Sequence, residues 1–276
     1  MSRRWAPALL LAPTALLFAG LFVYPQIAML ETSLGAPHWS LAHYAHFLGD
    51  GYYLGTLARS LLLGLMVTVA TLGLGLPMAY WLARLESRFA PMLLILCTFP
   101  LWVSAVVRSF GWIVLMTRNG VLSGFARELG LGGPGFQLAY TLTGVVIALT
   151  QVLLPFMVLT LYGVIRSIDP EIERAAQNLG ATPLRAALLT TLPLARQGIL
   201  GGSLLVFALS ISAFATPSLV GGARVQLMST TIYEQMTELA DWPFASAISF
   251  ILLVVVLAIS LLQARAGTAI EGGPGR

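Results

Sequence analysis

The sequence predicts an all-α fold: a polytopic membrane helical bundle of six transmembrane helices, with short cytoplasmic helices between spans four and five. Three observations carry that expectation. Of 276 residues, 58% are hydrophobic and only 9% are charged, against about 25% charged in a soluble domain; the mean hydropathy is +0.87. Six apolar stretches each exceed the ~20 residues that a helix needs to cross a hydrocarbon core. The cations collect in the gaps between those stretches, which membrane topology explains better than a nucleic-acid surface does.

The spans fall at about 8–30, 58–82, 91–116, 138–164, 198–220 and 244–264. Arg3 and Arg4 precede the first, as in a signal peptide. Its apolar run, however, continues from Ala8 to Met29 with no clear small-residue cleavage site, longer than a signal core of ~7–15 residues, so it reads as a retained first helix. All fifteen cations are arginine. With a cytoplasmic N-terminus, Arg3, Arg4, Arg84, Arg88, Arg166, Arg174, Arg185, Arg196, Arg265 and Arg276 lie inside. Arg59, Arg108, Arg118, Arg127 and Arg224 lie in the outer segments or outer helix halves. That imbalance favours both termini cytoplasmic. Trp39, Tyr44, Tyr52, Tyr53, Tyr233 and Trp242 fall in or near outer segments, where interfacial aromatic belts form. The whole chain reads as one transmembrane domain, with a disordered tail over 266–276.

Only one inner loop, between spans four and five, is long enough for structure of its own. Asp169-Pro170-Glu171 predicts a helix start: an Asp cap, a proline that needs no donor, and acids at the positive end of the dipole. Gly180 predicts its end in a left-handed conformation. Thr182-Pro183 repeats the start signal, for a second short helix running toward Thr191 and ending near Pro193. Small Ala175 and Ala176 would admit the groove of another protein, with Glu173, Arg174 and Arg185 as charged contacts around it. A connector that merely covers helix ends is the alternative.

The string Glu173-Arg174-Ala175-Ala176-Gln177-Asn178-Leu179-Gly180, followed by Thr190-Thr191-Leu192-Pro193, resembles the EAA loop of ABC-importer permeases. That motif reads Glu-Ala-Ala, three residues, Gly, nine residues, then Ile-x-Leu-Pro. Arg174 stands where the motif has Glu, and Thr190 where it has Ile. Pro100 to Val103, Val107 to Trp112 and Arg118 to Val121 are similar to the third-span region of spermidine/putrescine-type permeases. Phe214 to Gly222 and the opening from Leu11 to Pro25 are similar to their fifth and first spans. The resemblance implies a type I importer permease domain in a bacterial inner membrane, carrying half of a translocation path for a polyamine or related small solute. It implies as partners an ATP-binding-cassette ATPase dimer, a second and different permease chain, and an extracytoplasmic solute-binding protein. Glu173, Arg174, Ala175, Ala176, Gly180, Leu192 and Pro193 would then couple to the ATPase.

Candidates for the path are Arg108, Trp112, Asn119, Ser210, Ser212 and Thr216. A charge inside a span is costly and often functional, though Arg108 could instead snorkel outward. It would repel a cationic solute, and would suit a carboxylate or an acid from a partner subunit. Pro217 frees a carbonyl that the nearby hydroxyls of span five could satisfy; close helix packing is the other use for them.

Enzyme readings find no constellation. His38, His43 and His46 cluster without a cysteine and read as a solvated outer loop, and lone Cys97 reads as a packing residue. Without a single lysine there is no G-x-x-x-x-G-K-[ST] phosphate loop. The chain therefore binds no cofactor on this reading, and ATP belongs to a partner. An ion- or proton-coupled secondary transporter is the competing hypothesis, weakened by the absence of Asp and Glu from the spans.

Overall fold

The structure, a computed structural model, describes residues 13–14, 16–35, 39–85, 87–133 and 135–271. Among the described residues every regular element is helical. Four helices are long and apolar enough to cross a membrane unbroken: Leu16–Ser33, Gly51–Arg84, Leu142–Ser167 and Trp242–Gln263. Two further pairs qualify only as bent units, Ala90–Trp102 with Ala105–Glu128 at 90° and Pro183–Leu194 with Arg196–Ser212 at 69°. Taking each bent pair as one span gives six. Arg3, Arg4, Ala8 to Ala12 and His38 lie outside the described residues.

In chain order the helices are α1 (Tyr24–Ser33, entered through a π-turn at Ala19–Val23), α2 (Ala42–Gly49), α3 (Gly51–Arg84), α4 (Ala90–Thr98), α5 (Ala105–Met116), α6 (Val121–Glu128), α7 (Leu142–Ser167), α8 (Glu171–Asn178), α9 (Pro183–Ala186), α10 (Arg196–Ser212), α11 (Met228–Thr237) and α12 (Trp242–Glu271). The last corrects the expected tail: residues 266–271 continue the sixth span as helix, and 272–276 are outside the described set.

Two spans depart from the straight helices that hydropathy suggests. The third tightens at Pro100, which has no amide to donate, and breaks after Trp102. The chain tightens into a 3-10 turn at Phe99–Trp102, Val103 and Ser104 are extended, and α5 starts afresh at Ala105. The fifth, expected over 198–220, stops at Ser212. Pro217 sits four residues beyond Ala213, so its ring excludes the helical bond to the Ala213 carbonyl. Ala213 turns extended, and the Ser229 hydroxyl donates to its carbonyl at 2.7 Å. The repair comes from outside the span. Ser210 and Ser212 instead donate to Phe207 and Ala208 carbonyls within α10.

By packing, the chain divides into Met1–Gly55 with Thr231–Val255, and Thr56–Thr230 with Val256–Arg276. In the first unit, the Ser33 and Tyr44 hydroxyls share a 2.7 Å hydrogen bond between α1 and α2. His46 packs against Phe244 and Tyr53, with ring centroids 5.0 and 5.6 Å away, and His43 lies 6.3 Å from Phe244. His43 and His46 thus belong to a helix and an aromatic cluster, not to a solvated loop. The core of the second unit is α7. Val145, Leu149, Met157, Leu161 and Ile165 are buried against Leu63, Val67 and Leu82 of α3 and Val206 of α10. Lipid gives helices no hydrophobic reason to associate, so close packing at small residues must do it. A Cβ on Gly64 would stand 2.7 Å from Ile211 Cγ1, and one on Gly202 2.9 Å from Met157 Sδ.

Gly64 and Gly73 lie on the same helix, but nothing stands within 4 Å of a Cβ on Gly73. Gly-to-Ala in a helix interior ordinarily stabilises by up to about 1 kcal/mol, while overpacking costs about 1–3 kcal/mol. Gly73→Ala should therefore raise the thermal midpoint of the detergent-solubilised protein, and Gly64→Ala should lower it.

Candidate functional site

The segment between spans four and five folds as two short helices about a glycine turn, with its first cap displaced by one residue. Asp169 is not the helix cap. Its Oδ1 accepts from the Glu171 amide at 3.0 Å, forming a turn ahead of α8, whose cap position is Pro170. Gly180 has φ +93°, a region that L side chains avoid. There the Gly180 amide donates to Gln177 O at 2.9 Å and the Ala181 amide to Ala176 O at 3.1 Å, the paired bonds of a Schellman ending. Thr182 caps α9 by accepting from the Arg185 amide at 3.3 Å. The second helix ends at Leu194, one residue past Pro193 and close to the expected end. It passes through a π-turn at Ala187–Thr191 into Leu192–Leu194, then bends at Ala195 into α10.

Glu173 is not an outward charged contact, and this corrects the sequence expectation. It is 7% exposed, turned toward the end of α3. Arg84 Nε and Nη2 donate to its Oε1 at 2.9 and 2.6 Å, the Tyr80 hydroxyl donates to Oε2 at 2.8 Å, and the Thr191 hydroxyl donates to Oε1. Arg84 Nη1 also donates to Ile168 O at 3.0 Å, just past the end of α7, and Arg166 Nη1 returns a bond to Ala83 O at 2.8 Å. Burial alone would raise the Glu173 pKa. The hydrogen bonds from Thr191, Tyr80 and Arg84, with the Arg84 charge, outweigh it and hold the carboxyl below its usual range.

The outer face of the segment carries the rest. Arg174, in the position of the motif Glu, pairs with Glu171 at the surface, an arrangement of small energetic weight. Ala175 and Pro193 are exposed, Ala176 and Leu192 half-buried. The most prominent side chains are ones that sequence reasoning did not single out: Leu179 is 91% exposed, with Leu184 and Leu189 also open. The signal was an apolar residue directly before a helix-ending glycine, where no core can receive it.

The path candidates are not gathered into one chamber. Arg108 Nη1 donates to Pro100 O at 2.7 Å, across the break of the third span. Trp112 donates to Gln151 Oε1 at 3.3 Å, joining α5 to α7. Asn119 is exposed in the turn before α6, Ser210 and Thr216 are buried, and Ser212 is exposed at the end of α10. Among the described residues, no group of three His, Cys, Asp or Glu side chains could hold a metal ion.

Residues 49–268 match the family described as binding-protein-dependent transport system inner membrane component. The spermidine/putrescine transport system permease protein PotB of Escherichia coli strain K12 is 35% identical over 224 residues, 81% of each chain. The molybdenum transport system permease protein ModB of Mycobacterium bovis is 33% identical over 203 residues, 74% of this chain and 75% of that one. Among solved structures, a bacterial ABC transporter involved in the import of the acidic polysaccharide alginate superposes with a TM-score of 0.81. It shares 19% identity and covers 97% of this chain and 96% of its own.

The depressed Glu173 pKa fixes a sign. Its contribution to stability is full above the unfolded carboxyl pKa and is lost as pH falls through the lower folded value. Wild type should melt above Glu173→Gln in detergent at pH 7, and the gap should close below about pH 4, as read by thermal unfolding across a pH series.

Proposed function

The chain belongs to the family of binding-protein-dependent transport system inner membrane components, and from that premise we propose that it supplies half of a polyamine path and couples it to a separate ATPase. It is a multi-pass inner-membrane protein of ABC-importer permease type. On this reading the full chain acts as one permease domain, with both termini cytoplasmic, as the arginine distribution favours. A second permease chain completes the path, a solute-binding protein delivers the cargo outside, and ATP is bound only by the partner ATPase.

One observation carries the coupling role: an exposed apolar tip on a rigid cytoplasmic turn. Leu179 projects beside a glycine that no L residue readily replaces, flanked by two capped helices and followed by open Leu184 and Leu189. An exposed apolar patch of this kind marks a protein partner. Closure of the ATPase on ATP would move the turn, and the spans with it, between inward- and outward-facing forms. The secondary-transporter alternative has no comparable support, since it gives this turn no partner.

The spermidine/putrescine relatives favour a polyamine cargo, while other similar proteins are named for molybdenum and for the acidic polysaccharide alginate. Arg108 has a structural role across the break of the third span, where Nη1 donates to the Pro100 carbonyl. Cargo is tested by uptake of radiolabelled spermidine into vesicles holding the assembled complex; uptake of molybdate in its place would overturn the polyamine assignment.

Coupling is tested by co-purification. Leu179→Asp should abolish recovery of the ATPase with the permease in mild detergent without reducing membrane insertion. Gly180→Leu, which has room for its side chain but not for its backbone, should cost about 1–2 kcal/mol locally and uncouple transport. Normal ATPase recovery by Leu179→Asp would sink the docking role.

A further inference from the structure

We propose that Glu173 and Arg84 form a rigid transmission joint, not part of the ATPase contact, and that through it the docked turn drives the inner ends of spans two and four. The inference rests on the docking reading and adds to it which helices receive the motion, and through which atoms.

One carboxylate holds three elements together. Glu173 stands on α8, Thr191 on the π-turn that follows α9, and Tyr80 and Arg84 on the last turns of α3. Arg84 extends the joint to a fourth element by its bond to Ile168 O, and Arg166 of α7 answers on Ala83 O. The two span ends are thus tied by reciprocal arginine-to-carbonyl bonds, with the docking unit fastened to both through Glu173.

The chemistry suits a joint that does not slip. The side chains of Arg84 and Glu173 are only 15% and 9% exposed. Separating a buried pair leaves a charge without compensation, which is far costlier than breaking a surface pair. Guanidinium geometry is also required: Nε and Nη2 grip one carboxylate oxygen while Nη1 reaches the carbonyl of Ile168. An ammonium cannot span both partners in that way. The exposed docking side chains Leu179, Leu184 and Leu189 take no part in these bonds, so surface and joint are separable by substitution.

The test uses the complete complex in lipid nanodiscs, in a Cys97→Ala background with a reporter thiol introduced by Arg88→Cys, an exposed position just past the end of α3. The maleimide labelling rate is measured before and after trapping the ATPase with ATP and vanadate. In the otherwise unaltered protein, trapping should change the rate. Glu173→Gln and Arg84→Lys should each abolish that change while recovering the ATPase as fully as wild type. Thr191→Val, which removes one of four bonds to the carboxylate, should leave a partial response.

A full response in Glu173→Gln and Arg84→Lys would overturn the joint, as would absence of any response in the unaltered protein. Loss of the ATPase by Glu173→Gln, as expected for Leu179→Asp, would place Glu173 in the docking contact and overturn it equally. Retention of the ATPase by Leu179→Asp would sink the docking reading instead, and the joint would still stand or fall on the labelling response.

Discussion

Within a bilayer, a backbone carbonyl that leaves the helical ladder has no water to turn to, and the irregular parts of this chain are organised around that constraint. The third span breaks just beyond Pro100, whose carbonyl accepts from Arg108. The fifth breaks at Ala213, whose carbonyl accepts from Ser229. At the C-terminal ends of α3 and α7, the carbonyls of Ala83 and Ile168 accept from Arg166 and Arg84. In each case a side chain closes what the backbone leaves open. Three of the four donors are arginines placed against carbonyls at or near helix C-terminal ends, where the dipole favours a positive charge.

The same economy explains how the segment between spans four and five is at once exposed and fixed. The first helix has eight residues and the second runs only from Pro183 to Leu194 with a π-turn inside it, so neither is long enough to persist well in isolation. Their definition comes from terminal bonds: the Asp169 turn, the paired bonds at Gly180, the Thr182 cap. Their placement comes from Glu173. With its carboxylate saturated by Tyr80, Arg84 and Thr191, the unit can leave Leu179 in solvent without a core beneath it.

What the sequence made legible follows a physical division between local and distant partners. Gly180 and Thr182 were readable because their partners lie within a few residues and the turn chemistry is stereotyped. The number of spans was readable because hydropathy is additive along the chain. The inward turn of Glu173 was not, since Tyr80 and Arg84 lie 93 and 89 residues away, and no local pattern distinguishes an anchored glutamate from a solvated one. The break at Ala213 was half-legible. Pro217 announced a freed carbonyl, but Ser229 comes from beyond the span, after a turn that hydropathy does not resolve.

Arg108 shows how far a charge in a span can mislead when its partner is backbone. From sequence it poses a sign problem, since a fixed cation in the path would oppose a polyamine. Its contact with Pro100 O puts one edge of the guanidinium against the carbonyl end of a 3-10 turn, at a bend of 90°. There the positive charge meets the negative pole of the preceding helical segment. A lysine or a neutral residue would leave that pole less well met and the bend less well held. The residue therefore reads first as a strut of the broken span. The charge preference of the path falls instead to groups that face the solute.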